Sequence, residues 1–113
     1  MINWSPLTQQ NRIQEIIDES KQQPVVIFKH STSCTISATA KNRLERQWSE
    51  AGLEPIKPYY LDLLANRSIS NQIAETFAVE HQSPQLLVIR NGACQYDASH
   101  LGINLQEVKK HLA

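Results

Sequence analysis

Apolar residues recur along the chain in two rhythms, and each change of rhythm marks a new element. Leu7, Ile13, Ile16 and Ile17 recur at helical spacing among polar residues, with Glu15 and Asp18 suited to a solvent face. This pattern predicts a first helix over residues 7–23, ended by Pro24. Val25-Val26-Ile27-Phe28 is then a continuous β-branched and aromatic run, as expected of a strand covered on both faces. After a polar loop over 29–33, Ile36, Ala40, Leu44 and Trp48 fall at i, i+4, i+8 and i+12. They predict a second helix over about 34–51, with Gly52 as its stop. Pro55 and Pro58 bracket a connection to a second strand over 59–63, which makes a parallel crossover.

The second half continues in the same way. Asn66 or Ser68 caps a third helix that ends near Val79 and buries Ile69, Ile73 and Phe77. His81-Gln82-Ser83-Pro84 is a turn, followed by strands over 85–89 and 93–97. Asn91-Gly92 between them is a strong hairpin signal. Asn104 opens a last helix through Leu105, Val108 and Leu112, with Lys109, Lys110 and His111 where the macrodipole favours cations. The order α-β-α-β-α-β-β-α is a βαβ half followed by a ββα half. It describes an α/β fold, a thioredoxin-like three-layer sandwich with a central four-stranded mixed sheet flanked by helices. The 113 residues, 1–113, fit a single domain.

Composition narrows the partners. Apolar residues make up 41% and charged residues 19%, and 11 basic residues balance 11 acidic ones. Nothing in that balance calls for nucleic acid or an anionic membrane. No apolar run approaches the roughly 18–20 residues that cross a bilayer. The N-terminus lacks the basic and apolar regions of a signal peptide, so a cytoplasmic location is expected. In that reducing compartment two cysteines are inert core residues or working thiols more often than a structural disulfide. Two well-separated cysteines without clustered histidines make no zinc site. His81, His100 and His111 read as surface residues.

The chemistry centres on Cys34. It follows a buried strand and a short loop, and it opens a predicted helix. Free backbone N–H groups and partial positive charge at such an opening favour thiolate over thiol. Lys29 and His30, just upstream, add positive potential or serve as ordinary strand-end residues. Pro84 precedes a strand in Gln82-Ser83-Pro84-Gln85. A cis bond there would bring the turn against the helix opening and let the Ser83 backbone pair with an extended substrate. Cys94 lies inside a predicted strand and is expected to be a buried, unreactive residue.

Lys29-His30-Ser31-Thr32-Ser33-Cys34-Thr35-Ile36-Ser37 resembles the Lys-His-Ser-Thr-X-Cys-X-Ile-Ser signature of the bacillithiol-system monothiol bacilliredoxins, the YtxJ family. The resemblance extends over nearly the whole chain. It implies a thioredoxin-like fold and removal of bacillithiol, or a similar small thiol, from mixed disulfides on cytosolic proteins. The nucleophile maps onto Cys34 and the non-cysteine partner position onto Ser37. Thr35 stands where members often carry proline, and it restores an N–H near the sulfur. Cys34 and Ser37 are therefore the expected catalytic residues. Thr35, Ser83, Pro84, Lys29 and His30 are the expected substrate-binding residues. No permanently bound cofactor is expected, the small thiol being a co-substrate, and a monomer is expected. Two other classes fit a single active cysteine: a monothiol glutaredoxin-like iron–sulfur carrier and a non-catalytic adaptor. Against the carrier, Cys-Thr-Ile-Ser lacks the Gly-Phe of the cluster-carrying glutaredoxins.

Overall fold

A computed structural model describes residues 4–31, 35–48 and 56–112. It contains the elements β1 (Ser5–Pro6), α1 (Arg12–Ser20), β2 (Val25–His30), α2 (Thr35–Trp48), β3 (Lys57–Asp62), α3 (Arg67–Phe77), β4 (Gln85–Arg90), β5 (Ala93–Ser99) and α4 (Leu105–Leu112). A short 3-10 turn at His100–Gly102 links β5 to α4. The sheet order is β1-β3-β2-β4-β5. β3 runs parallel to both β1 and β2, whereas β4 is antiparallel to β2 and β5.

The sheet therefore has five strands where the hydrophobic pattern predicts four. The added strand is two residues long and contains Pro6, too short and too poor in β-formers to register as a pattern. It lies at the sheet edge, where a missing N–H is tolerated. Leu7 then donates its backbone N–H to the Tyr60 carbonyl at 2.8 Å. Leu7 is fully buried, but as part of the entering chain and not of α1, which begins at Arg12. Pro58 also differs from expectation: it lies inside β3, opposite Val26, and not in a connection. Gly52 and Pro55 lie outside the described residues.

Each face of the sheet carries its own core. Val25, Ile27, Tyr59, Leu61, Leu87 and Ile89 pack against Ile13 and Ile16 of α1 and Ile69, Ile73 and Phe77 of α3. Val26, Phe28, Leu86 and Val88 pack against Ala40, Leu44 and Trp48 of α2 and Leu105 and Val108 of α4. This is the two-period logic at work. Strand residues alternate between the two cores, while each helix contributes one stripe.

Two local devices fix the ends of this frame. Asn91 and Gly92 both have positive φ, 55° and 78°, which suits a two-residue hairpin between β4 and β5. The hairpin tip is docked on α1: Asn91 N–H donates to the Ser20 carbonyl and Gly92 N–H to Ser20 Oγ, each at 2.8 Å. At the opposite end of β4, the Ser83–Pro84 peptide bond is cis.

Candidate functional site

Of the residues singled out by the sequence, Lys29, His30, Ser83 and Pro84 lie at one end of the sheet. β2 ends at His30, the chain runs on through Ser31, and α2 begins at Thr35. Cys34 itself lies outside the described residues, as do the side chains of Thr35 and Ser37, which stand in the first turn of α2. The strand ends around this connection are well defined. Lys29 of β2 is in register with Gln85, the residue after cis Pro84. The β2–α2 connection and the cis-proline turn thus leave the sheet from adjacent strands at the same end. Pro84 is buried, and its carbonyl accepts the His100 N–H at 3.0 Å, which ties the end of β5 to the turn. Ser83 Oγ is buried without a hydrogen-bond partner among the described residues.

Lys29 and His30 are neighbours in sequence but point to opposite faces, as consecutive strand residues must. His30 joins the α2 side. Its ring lies 6.0 Å from the Phe28 ring and 5.6 Å from Tyr60, and the Trp4 ring extends this aromatic cluster toward the β1 edge. Lys41 of α2 places its ammonium 5.6 Å from the centre of the Tyr60 ring. Burial pushes the Tyr60 hydroxyl up, with Asp62 and Glu45 adding to the effect.

Lys29 joins the α3 side and has no exposed surface. A buried ammonium is costly unless it is hydrogen-bonded. Its Nζ donates to the Ser70 carbonyl at 3.3 Å and faces His81 Nδ1 at 3.3 Å. Ser70 Oγ lies 3.2 Å from the same ring nitrogen. Burial pushes Lys29 down to about 8. Burial, followed by the charges of Lys29 and Arg67, holds His81 below the ordinary imidazole value. The imidazole is therefore neutral at pH 7, and a protonated Lys29 can only donate. Those two facts put the His81 proton on Nε2 and make Nδ1 the acceptor.

His81 is at the surface, as the sequence suggests, but its role as the partner of Lys29 is not visible in periodicity. The usable signal was Lys29 itself. A lysine in a strand buried on both faces requires acceptors nearby. Ser70, fully buried on the Ile69–Ile73 side of α3, is one of them and was likewise unmarked.

Cys94 is set apart from this end. It pairs with Ile89, near the hairpin and away from the cis-proline end of β4. It is half-buried and free, and its Sγ lies 3.3 Å from the Tyr96 carbonyl, to which the thiol donates. Burial pushes its thiol up, the direction opposite to activation. Among the described residues no group of three or more potential metal ligands comes together. No described helix is long and apolar enough to cross a membrane.

A mixed sheet with parallel β1-β3-β2 and antiparallel β4-β5, helices on both faces and a cis-proline opening the central antiparallel strand define a thioredoxin-fold protein. Solved structures agree. One assigned as an oxidoreductase with a thioredoxin fold is 29% identical, with a TM-score of 0.82 over 95% of this chain and 91% of its own. The thioredoxin of Malassezia sympodialis is 14% identical, with a TM-score of 0.77 over 99% and 92%. That of Fasciola hepatica is 16% identical, with 0.72 over 96% and 98%. The chain belongs to the monothiol bacilliredoxin family: the family model described as "Monothiol bacilliredoxin BrxC" matches residues 5–108. Family and fold together support a thiol oxidoreductase.

Proposed function

We propose that this protein removes bacillithiol, or a similar low-molecular-weight thiol, from mixed disulfides on cytoplasmic proteins, with Cys34 as nucleophile. The Cys34 thiolate attacks the sulfur of the small thiol in protein–S–S–R. The protein sulfur leaves as thiolate, and Cys34–S–S–R forms. A second small thiolate then attacks the R sulfur, which restores the Cys34 thiolate and releases a symmetrical small disulfide. Each step exchanges one S–S bond for another, so electrons balance without a bound cofactor. Ser37 cannot serve as an internal resolving thiol, so the second step depends on a thiol from outside. The reading makes Ser83 the site of backbone pairing with an extended substrate, beside Pro84. Thr35 would line the path of the small thiol, and His30 would support that path from the aromatic cluster under α2.

The observation that carries this reading is the shared sheet end. The cis Ser83–Pro84 turn stands beside the end of β2 from which the chain leads to Cys34. The family match, which spans Cys34 and Ser37, supports it. The test is intact mass after exposure to oxidised bacillithiol and, separately, oxidised glutathione. A single adduct on the Cys34 peptide is expected, retained in Cys94→Ala and lost in Cys34→Ala. No adduct on Cys34, or the same adduct in Cys34→Ala, would refute the assignment.

A further inference from the structure

The segment that leads into the cis-proline turn is held by two polar side chains with no exposed surface, one from each of two adjacent strands. Gln85 of β4 donates from Nε2 to the Glu80 carbonyl at 3.0 Å and accepts the Gln82 N–H on Oε1 at 3.4 Å. Lys29 of β2, in register with Gln85, holds the residue between them by donating to His81 Nδ1. Residues 80, 81 and 82 are thus each tied to the sheet just before Ser83. Lys29 is anchored in turn to α3 through the Ser70 carbonyl, and Ser70 Oγ meets the same imidazole nitrogen.

A fully buried lysine is an expensive way to hold a loop, since an apolar side chain would fill the space without a desolvation cost. What it supplies is direction: the lysine ties the 81 position to the strand that continues toward Cys34. We propose that Lys29 and His81 are positioning residues for thiol exchange, holding the 80–82 segment so that Ser83 is presented to an extended peptide substrate in line with the end of β2. This inference rests on the reading that Cys34 performs the exchange and that substrate lies along Ser83. Neither residue touches the reacting sulfurs in this scheme.

The contact has a built-in acid limit. His81 faces Lys29 from β2 and Arg67 and Ser70 from α3, while Gln85 of β4 is neutral and bonds Glu80 and Gln82 instead. Protonating Nδ1 removes the acceptor and sets a second cation against Lys29, with Arg67 adding to the repulsion. The segment is therefore released as pH falls through the His81 value, and it is held above it.

The test uses the full chain and two probes: a peptide carrying a bacillithiol mixed disulfide, and 5,5′-dithiobis(2-nitrobenzoate), a small disulfide with no backbone to pair. His81→Leu removes the acceptor at an exposed position. His81→Asn keeps an acceptor near the place of Nδ1. Loss of a hydrogen bond to a charged group predicts that His81→Leu lowers kcat/KM on the peptide about tenfold, mainly through KM. The small disulfide should react within about twofold of wild type, since truncation at a surface position leaves the thiol itself unaltered. His81→Asn should recover most of the peptide rate. Wild-type KM for the peptide should rise as pH falls below the ordinary imidazole value of about 6.5, and that of His81→Asn should not. Equal loss on both probes, or no loss on the peptide, overturns the proposal. If Cys34→Ser reacts like wild type, the exchange reading itself is wrong. Amide hydrogen exchange at Gln82 then still decides the positioning role. Faster exchange in His81→Leu, reversed in His81→Asn, supports it, and unchanged exchange overturns it.

Discussion

Replacing Lys29 by methionine removes an ammonium from the interior while keeping an unbranched stem of similar length. Lys29 titrates at about 8 in the folded protein against an ordinary value of 10.5, and burial is the cause. The unfolded chain therefore binds more protons than the folded one between these values, and stability rises with pH across that window. At about 1.4 kcal/mol per unit, keeping the ammonium charged inside the fold costs on the order of 3 kcal/mol at pH 7. Nearly all of that cost is present below pH 8 and has gone above 10.5. The wild type should consequently gain about 2 kcal/mol relative to Lys29→Met between pH 7 and pH 10. Urea unfolding of both proteins, followed by tryptophan fluorescence at several pH values, measures the difference. The raised tyrosine values of Tyr59, Tyr60 and Tyr96 are common to both chains and cancel. Parallel stability curves would refute the claim that Lys29 is held as a buried cation at neutral pH.

Other outcomes follow from the same structure. At pH 7, Cys94 should be alkylated slowly and Cys94→Ala should exchange thiols at the wild-type rate, as mass-resolved labelling and turnover would show, because burial pushes this thiol up. Leu44→Ala opens a hole between α2 and the sheet, where Leu44 is 1% exposed, and should cost about 2–5 kcal/mol in urea unfolding. Tyr59→Phe removes the hydroxyl that donates to Glu19 Oε1 at 2.9 Å, and a loss of about 1 kcal/mol is expected by the same method. Ser37→Cys should release the small thiol without an added second thiol and leave an internal disulfide, detectable by mass.

The architecture was legible where burial follows a period. The helix stripes of Ile69, Ile73 and Phe77 and of Ala40, Leu44 and Trp48 are core in the structure, and the apolar run at 25–28 is the central strand. The Asn91-Gly92 hairpin was equally clear, because few residue pairs tolerate positive φ twice in succession. β1 was not legible. Two paired residues contribute too little pattern, and Leu7 joins the core without belonging to a helix. The left-handed Ala78 that ends α3 was also invisible, since glycine is the usual signal at that position.

The site was legible in part for a related reason. Ser83-Pro84 announces itself because only proline makes a cis bond at ordinary cost. The partnership of Lys29 with His81 spans 52 residues and depends on which face of β2 each side chain takes. Alternation alone puts Lys29 with Val25 and Ile27, on the α3 side, and His30 with Val26 and Phe28, on the α2 side. Lys29 and His30, just upstream of Cys34, therefore do not form one patch. His30 belongs to an aromatic cluster under α2, and Lys29 belongs to the support of the cis-proline turn. A charge count along the loop treats them as equivalent; the pleat of a single strand separates them into different parts of the same site.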